Sequence, residues 1–196
     1  MNPGSPSVPR DIVQRQRAFF QSGVTRPLEF RRAQLRKLAD ALATHEAALL
    51  EALHADLRKS AYEAYSSELG LVLSELRSAL RHLPAWMKAQ RRRTPLMAWP
   101  GRSFVRPEPF GVALIIGPWN YPLQLLLLPL VGAIAAGNCV VLKPSELAPH
   151  TAAAVAKLIR ESFAGEYIAV CEGERNAAFL KQIAWAEGLG FESVWL

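Results

Sequence analysis

Short apolar runs alternate with longer helical stretches between residues 111 and 171, and this order constrains the fold more than any other feature of the sequence. Three runs rich in Val, Ile, Leu and Ala predict buried strands: residues 111–117, 138–143 and 167–171. Pro122 opens an apolar helix to about Ala136, and a second helix follows Pro149. The resulting βαβαβ order requires a parallel sheet with right-handed crossovers. The sequence therefore predicts an α/β fold.

The ends of the first two predicted strands are the places where we expect a ligand. In parallel sheets covered by helices, ligands bind at the carboxyl ends of the strands. Residues 117–121 follow the first strand, and residues 143–146 follow the second. The polar side chains of these two segments include Asn120, Lys143 and Glu146.

The first half of the chain is helical in pattern and predicts a packing layer. Leucines recur at spacings of three, four and seven from Leu28 onward, directly after Pro27. Ser60 and Glu63 form a capping box that opens a further helix. Pro84 ends or restarts that helix. Apolar helix faces of this kind predict buried packing between helices and not a catalytic or binding site.

An uncharged span between Glu108 and Lys143 is long enough to raise the question of a membrane crossing. Prolines and glycines interrupt it, and its longest smooth piece, residues 123–136, is short for a crossing and contains Gln124. Two buried strands with a buried helix between them explain the span better. The first 25 residues lack the apolar stretch of a signal peptide, so we expect a cytoplasmic protein without a transmembrane segment.

Charge narrows the range of partners. The chain has 23 Lys and Arg against 17 Asp and Glu, a net charge of +6, and its one compact basic run is residues 91–93. This run lies beside apolar residues 96–100 without aromatic side chains interleaved for stacking on bases, so we predict a solvated loop and no nucleic-acid binding. Binding to an anionic or membrane surface through residues 91–93 and 96–99 stays open as an alternative.

The cysteines and histidines suggest neither a nucleophile nor a metal centre. Cys139 and Cys171 lie in apolar runs and predict reduced, buried thiols. We reject both as nucleophiles, because desolvation raises the pKa of a thiol and strand packing blocks access to it. The four histidines are scattered along the chain, and we predict no metal site among them: His45, His54, His82 and His150.

Four motifs carry a resemblance to a known family. They are Pro107-Glu108-Pro109-Phe110-Gly111, Ile116-Gly117-Pro118-Trp119-Asn120-Tyr121-Pro122, Gly132-Ala133-Ile134-Ala135-Ala136-Gly137-Asn138 and Lys143-Pro144-Ser145-Glu146. In this order and spacing they resemble the aldehyde dehydrogenase superfamily, and most of all its short class three branch, which handles medium-chain, fatty and aromatic aldehydes. The resemblance runs from about residue 25 to residue 173. It implies NAD(P)-dependent oxidation of an aldehyde substrate to a carboxylic acid, a homodimer, and a Rossmann-like sheet behind the helical layer.

The resemblance implies a catalytic role for Asn120. The reaction needs a thiolate that attacks the aldehyde, a donor for the oxyanion, a nicotinamide that accepts hydride, and a base for the deacylating water. In the family the Asn of the Trp-Asn-Tyr-Pro motif donates its side-chain amide to the oxyanion. The alternative interpretation is that Asn120 caps the helix opened by Pro122. Trp119 and Tyr121 stay open between a tunnel lining and core packing.

The resemblance also implies a dinucleotide site at the predicted edge. Lys143 and Glu146 would hydrogen-bond the adenosine ribose hydroxyls, and backbone groups would line the dinucleotide at four positions: Ile116, Gly117, Pro118 and Trp119. A carboxylate accepts from a free 2′-hydroxyl and repels a 2′-phosphate, whereas a lysine attracts one. NAD is therefore favoured and NADP stays open. The alternative for Lys143 and Glu146 is a surface ion pair in a loop.

The resemblance ends before the chain does. We divide the chain into a helical segment at 1–100, a βαβαβ dinucleotide-binding part at 101–182, and a tail at 183–196 that does not match. The family's next strand, its base motif and its cysteine motif are not recognisable here. We therefore expect an incomplete sheet, no catalytic domain, and a fragment that is inactive by itself. A non-catalytic module that binds dinucleotide or dimerises is the remaining alternative.

Overall fold

Helices form most of the first ninety residues. The computed structural model describes residues 9–171 and 193–195 of the chain. The helices are α1 Pro9–Gln21, α2 Leu28–Thr44, α3 Glu46–Leu57, α4 Ala61–Ala64 and α5 Gly70–Trp86, with a π-helical turn at Tyr65–Leu69 before α5. Many of their recurring leucines are fully withdrawn from solvent, as at Leu35, Leu42 and Leu53, and others, such as Leu28 and Leu50, are partly buried against the same core. The predicted helical packing layer is confirmed.

Two local predictions in this layer have different outcomes. The Glu63 N–H donates to Ser60 Oγ at 3.2 Å, which is the predicted cap at the start of α4. Pro84, in contrast, lies inside α5, which continues to Trp86, so the predicted break at Pro84 is wrong. A proline this close to the end of a helix removes a single N–H from its last turn, and the helix continues past it.

An exposed hairpin follows α5. Strand β1, Gln90–Arg92, pairs antiparallel with β2, Ser103–Val105, and a 3₁₀ turn at Leu96–Ala98 lies between them. The basic run at 91–93 is exposed, as predicted, but most of it is strand and not loop. Cross-strand pairing with β2, which sequence periodicity does not report, accounts for the difference.

A parallel sheet forms the second half of the molecule. Its central strands are β3 Val112–Ile116, β4 Cys139–Lys143 and β5 Ile168–Val170, joined by α6 Gln124–Ala136 and α7 Pro149–Ser162. The strands pair in parallel in the order β5-β4-β3. The predicted βαβαβ order and α/β fold are confirmed. Helix α6 packs on β3 and β4 with one face and on α2 and α5 with the other, so nearly all of its side chains are apolar.

The tail adds a strand that the sequence pattern does not predict. Strand β6, Ser193–Trp195, pairs parallel with β3 on the side away from β4. The sheet therefore contains four strands within the described residues, and the tail, in which no family motif is recognisable, contributes the strand at 193–195. This strand lacks the longer apolar run that marks β5 at 167–171. The rest of the predicted tail lies outside the described residues.

Candidate functional site

Strands β3 and β4 end side by side, and this brings the two predicted segments together. Ile116, the last residue of β3, is the register partner of Lys143, the last residue of β4. The Gly117 N–H donates to the Lys143 carbonyl at 2.9 Å. The segments that leave the two strands, 117–121 and 144–146, therefore start from one edge of the sheet, as the sequence predicts.

Gly117 allows α6 to lie close behind the end of β3. A Cβ at this position would lie 3.0 Å from Cδ1 and 3.1 Å from Cβ of Leu126, tighter than ordinary contacts between side chains. Leu126 is fully buried and packed in the core, so it has little room to move aside. Only glycine accommodates this approach without displacing its neighbour. A larger side chain at position 117 would therefore displace Leu126 or move the end of β3 away from α6.

Lys143 and Glu146 form an ion pair at the end of β4. Lys143 Nζ donates to Glu146 Oε2 at 2.5 Å and to the Pro144 carbonyl at 3.2 Å, so both of these partners lie within three residues of the lysine. The side chains of Lys143 and Glu146 are 12% and 15% exposed, so solvent still reaches both of them. Ser145 Oγ accepts from the Leu147 N–H at 3.3 Å and stabilises the turn.

The loop before α6 presents its side chains to solvent. Trp119 is 53% exposed and Tyr121 is 41% exposed, and Asn120 between them is also exposed. Neither aromatic ring belongs to the buried core, which removes the core-packing interpretation for both. Asn120 and its two neighbours therefore form an accessible surface beside the end of β3.

The first turn of α6 is capped by Glu68, a residue that the sequence interpretation missed. The N–H groups of Leu123 and Gln124 donate to Glu68 Oε2 at 2.9 and 3.1 Å. Both amides are therefore satisfied by Glu68, so the alternative in which Asn120 is the cap of this helix is wrong. The available signal was a carboxylate next to the inward stripe of α5, beside Leu69, where a buried charge needs an explanation.

Glu68 is joined to the Asn120 loop through Lys59. Lys59 Nζ donates to Glu68 Oε1, and it lies 3.4 Å from the Asn120 carbonyl, to which it also donates. The same ammonium stands 4.1 Å from the centroid of the Tyr121 ring, within cation–π range. The side chains of Lys59 and Glu68 are 10% and 0% exposed. No pattern in the sequence pointed to Lys59.

Two further charges from the helical layer hold the ends of the crossover helices. Asp56 accepts from the N–H groups of His150 and Thr151, at 3.1 and 2.7 Å, in the first turn of α7. Arg31 is buried and donates to the Ala135 carbonyl near the end of α6 at 3.1 Å. Burial lowers the pKa of Arg31. A carboxylate at a helix start and a guanidinium at a helix end both oppose the helix dipole.

The two cysteines differ in burial. Cys139 is fully buried in β4, as predicted. The prediction that Cys171 is buried within a strand is wrong, because Cys171 lies one residue beyond β5 and is only partly buried. This burial raises the pKa of its thiol. Within residues 9–171 and 193–195, no cluster of His, Cys, Asp and Glu could hold a metal ion, and no helix has the length and hydropathy of a membrane span.

Comparison with known sequences identifies the class of protein that this sheet and loop belong to. The model of the aldehyde dehydrogenase family matches residues 9–184, and the chain belongs to that family. It is 45% identical over 157 residues to 4,4'-diaponeurosporen-aldehyde dehydrogenase of Staphylococcus aureus, covering 80% of this chain and 34% of that protein. It is 50% identical over 149 residues to aldehyde dehydrogenase family 3 member B1 of Bos taurus, covering 76% and 32%. The chain spans about a third of the length of these relatives.

Solved structures show the same architecture. A substrate-bound state of AldH from Staphylococcus aureus superposes with a TM-score of 0.90 at 39% identity, covering all of this chain and 41% of that one. Betaine aldehyde dehydrogenase from the same species, in complex with NAD⁺, superposes with a TM-score of 0.74 at 27% identity, covering 87% and 34%. The Rossmann-like α/β fold expected from the motifs is confirmed.

Proposed function

We propose that this chain is the amino-terminal part of an enzyme that oxidises aldehydes to carboxylic acids with NAD(P), and that the shared edge of β3 and β4 binds the dinucleotide. The observation that carries the proposal is the pairing of Ile116 with Lys143, because it puts the Asn120 loop beside the Lys143–Glu146 pair. Family membership supports the reaction class.

The chemistry of the edge fits a dinucleotide. Glu146 can accept hydrogen bonds from vicinal ribose hydroxyls, and Lys143 can donate one to a ribose oxygen. The backbone from Ile116 to Trp119 lines the proposed dinucleotide site. The close packing of Gly117 against Leu126 keeps this backbone beside α6. The carboxylate of Glu146 favours NAD, and the ammonium of Lys143 leaves NADP as a second cofactor. The nicotinamide of either cofactor supplies the hydride acceptor when it is bound.

Asn120 is proposed as the donor to the oxyanion. Its exposed side chain lies beside the end of β3, and Glu68, not Asn120, satisfies the amides of α6. An uncharged amide can donate a hydrogen bond to a developing oxyanion without adding a formal charge beside the thiolate. In an intact enzyme with this sequence, Asn120→Ala would slow turnover by about a hundredfold or more while dinucleotide affinity stays the same.

The 196 residues by themselves are proposed to bind dinucleotide weakly and to oxidise no aldehyde. Cys139 is inaccessible and the thiol pKa of Cys171 is raised by burial, so neither offers a reactive thiolate at neutral pH. Aldehyde oxidation by the purified chain that disappears with Cys139→Ser would contradict this assignment.

The test of the cofactor site is a calorimetric titration of NAD⁺ and NADP⁺ into the purified chain. Lys143→Ala combined with Glu146→Ala should weaken NAD⁺ binding by about tenfold or more, since hydrogen bonds to charged groups are lost. The matched control is Lys157→Ala combined with Glu161→Ala, an exposed pair on α7 with a 4.0 Å contact. Equal affinity in the site variant and the native chain would remove the edge from the proposal.

A second candidate function, binding to an acidic surface, rests on the exposed hairpin. Leu96, Met97 and Trp99 are almost fully exposed, and the arginines at 91–93 beside them are exposed as well. Apolar side chains next to cationic ones suit the interface of an anionic bilayer. Co-sedimentation with vesicles containing phosphatidylserine, but not with neutral vesicles, would support this use. Sedimentation as a dimer without vesicles would instead support the proposed homodimer through the same apolar side chains.

A further inference from the structure

The backbone that carries Asn120 is short and is tied at both ends. It leaves β3 at Ile116 and enters α6 at Gln124. At the β3 end, the Gly117 N–H is bound to β4. At the α6 end, Glu68 accepts the amides of Leu123 and Gln124. These contacts hold the two ends of the loop but not its middle, residues 119–121, where the exposed side chains lie.

Glu68 is a carboxylate without solvent exposure, held in the π-helical turn Tyr65–Leu69. Such turns are rare and recur at functional sites, because the extra residue re-aims the side chains of one turn. A buried carboxylate also requires charge compensation and hydrogen bonds for both of its oxygens. One oxygen takes the two amides of α6, and the other takes the ammonium of Lys59.

Lys59 connects Glu68 to the middle of the loop. Its ammonium donates to the Asn120 carbonyl at 3.4 Å and lies 4.1 Å from the Tyr121 ring centroid. The direction of that carbonyl sets the plane of the peptide that follows Asn120. A fixed peptide plane and a fixed neighbouring ring restrict where the Asn120 side chain can point. Glu68 in turn holds the Lys59 ammonium in place through their ion pair.

We infer that Lys59 and Glu68 are positioning residues that aim the Asn120 side chain from behind the loop. Both side chains are buried, and each bonds backbone atoms of the loop or of α6. That this orientation serves an oxyanion rests on the proposed function. The orientation itself is a property of the chain and is measurable without cofactor or aldehyde.

The experiment is NMR spectroscopy of the ¹⁵N-labelled 196-residue chain, with the Asn120 side-chain amide assigned through Asn120→Asp. Lys59→Met removes the donor to the Asn120 carbonyl but leaves the Glu68 carboxylate bound to the amides at the start of α6. We expect the Asn120 side-chain resonances to move toward those of an unrestrained asparagine, while the Leu123 and Gln124 amides keep their protection from hydrogen exchange. Lys59→Arg, which retains the charge and the cation–π contact, should restore most of the native signal.

Asp56→Ala is the matched control, because Asp56 caps α7 through two amides as Glu68 caps α6. It should accelerate exchange at His150 and Thr151 by about tenfold, the effect of one lost hydrogen bond, without moving the Asn120 resonances. If Lys59→Met does not fold, Lys59→Met with Glu68→Met gives a neutral pair for the same measurement.

Two results would overturn the inference. Unchanged Asn120 resonances in Lys59→Met would show that Glu68 and Lys59 cap and pack α6 and nothing more. Equal movement in Asp56→Ala would show a general loosening of the sheet edge. If the Lys143/Glu146 variant binds NAD⁺ as tightly as the native chain, the proposed cofactor site is wrong. The effect of Lys59→Met on the Asn120 resonances does not depend on that outcome.

Discussion

Two lysine–glutamate pairs lie near the same sheet edge, and their surroundings differ. Lys143 and Glu146 are three residues apart, 12% and 15% exposed, and the lysine bonds within its own turn. Lys59 and Glu68 are nine residues apart, 10% and 0% exposed, and they bond the backbone of the loop and of α6. A pair of the first kind can exchange its partner for a ligand, whereas the second cannot without releasing another segment.

The difference teaches that burial and pairing do not by themselves mark a binding site. Lys59 and Glu68 are the more deeply buried pair, and a ranking of charged residues by burial alone would select them as the binding site. The partners of each pair decide its role: Lys59 and Glu68 bond backbone groups of distant segments, whereas Lys143 bonds two residues of its own turn.

The largest effect that would test this contrast is on stability. Glu68→Ala leaves the Lys59 ammonium without its carboxylate and exposes two unsatisfied amides, so it should lower the free energy of unfolding by about 3–5 kcal/mol. Glu146→Ala should cost less, because Lys143 keeps the Pro144 carbonyl as an acceptor and the amides of α6 stay bound to Glu68. Urea denaturation of both variants measures the difference. Equal losses would remove the distinction between the two pairs.

A third charged residue extends the contrast to the other end of α6. Gly137 has φ +91°, and a Cβ there would lie 2.7 Å from the guanidinium carbon of Arg31. Gly137→Ala should therefore cost about 2 kcal/mol or more of stability, from the left-handed backbone and from displacement of Arg31. Gly132→Ala is the control on the same helix, since its Cβ would meet nothing within 4 Å, and it should stabilise by about 0.5–1 kcal/mol. Thermal melts that rank the two variants the other way would contradict the packing of Arg31.

The smallest effect concerns a buried polar group that is neutral. Within residues 9–171 and 193–195 the Tyr167 hydroxyl has no hydrogen-bond partner, and burial raises the pKa of this phenol. A raised folded-state pKa means that stability is complete below about pH 10 and declines as the pH rises above it. Tyr167→Phe should change the melting temperature little at pH 7 and should flatten the decline between about pH 10 and 11. A native-like alkaline decline in the variant would show that another group titrates.

The sequence predicts much of the sheet and little of what supports the site. Runs with a clear period or a proline start, such as 111–117 and α7, are placed correctly because local pattern reports them. Strand β6 is missed because, unlike β5, it does not lie in a longer apolar run. Glu68 and Lys59 are missed for a different reason. Their partners lie about fifty-five and sixty residues away, and only folding brings those groups together.

Lysine-selective NMR during an NAD⁺ titration tests the contrast most directly, since it follows both ammonium groups in one chain. Lysine labelled with ¹³C at Cε gives separate signals, and Lys143→Arg and Lys59→Arg assign the two that matter. If Lys143 exchanges its partner for the ribose, its signal should shift with saturation while the Lys59 signal stays in place. A shift at Lys59 with a stationary Lys143, in a chain that binds NAD⁺, would contradict the account.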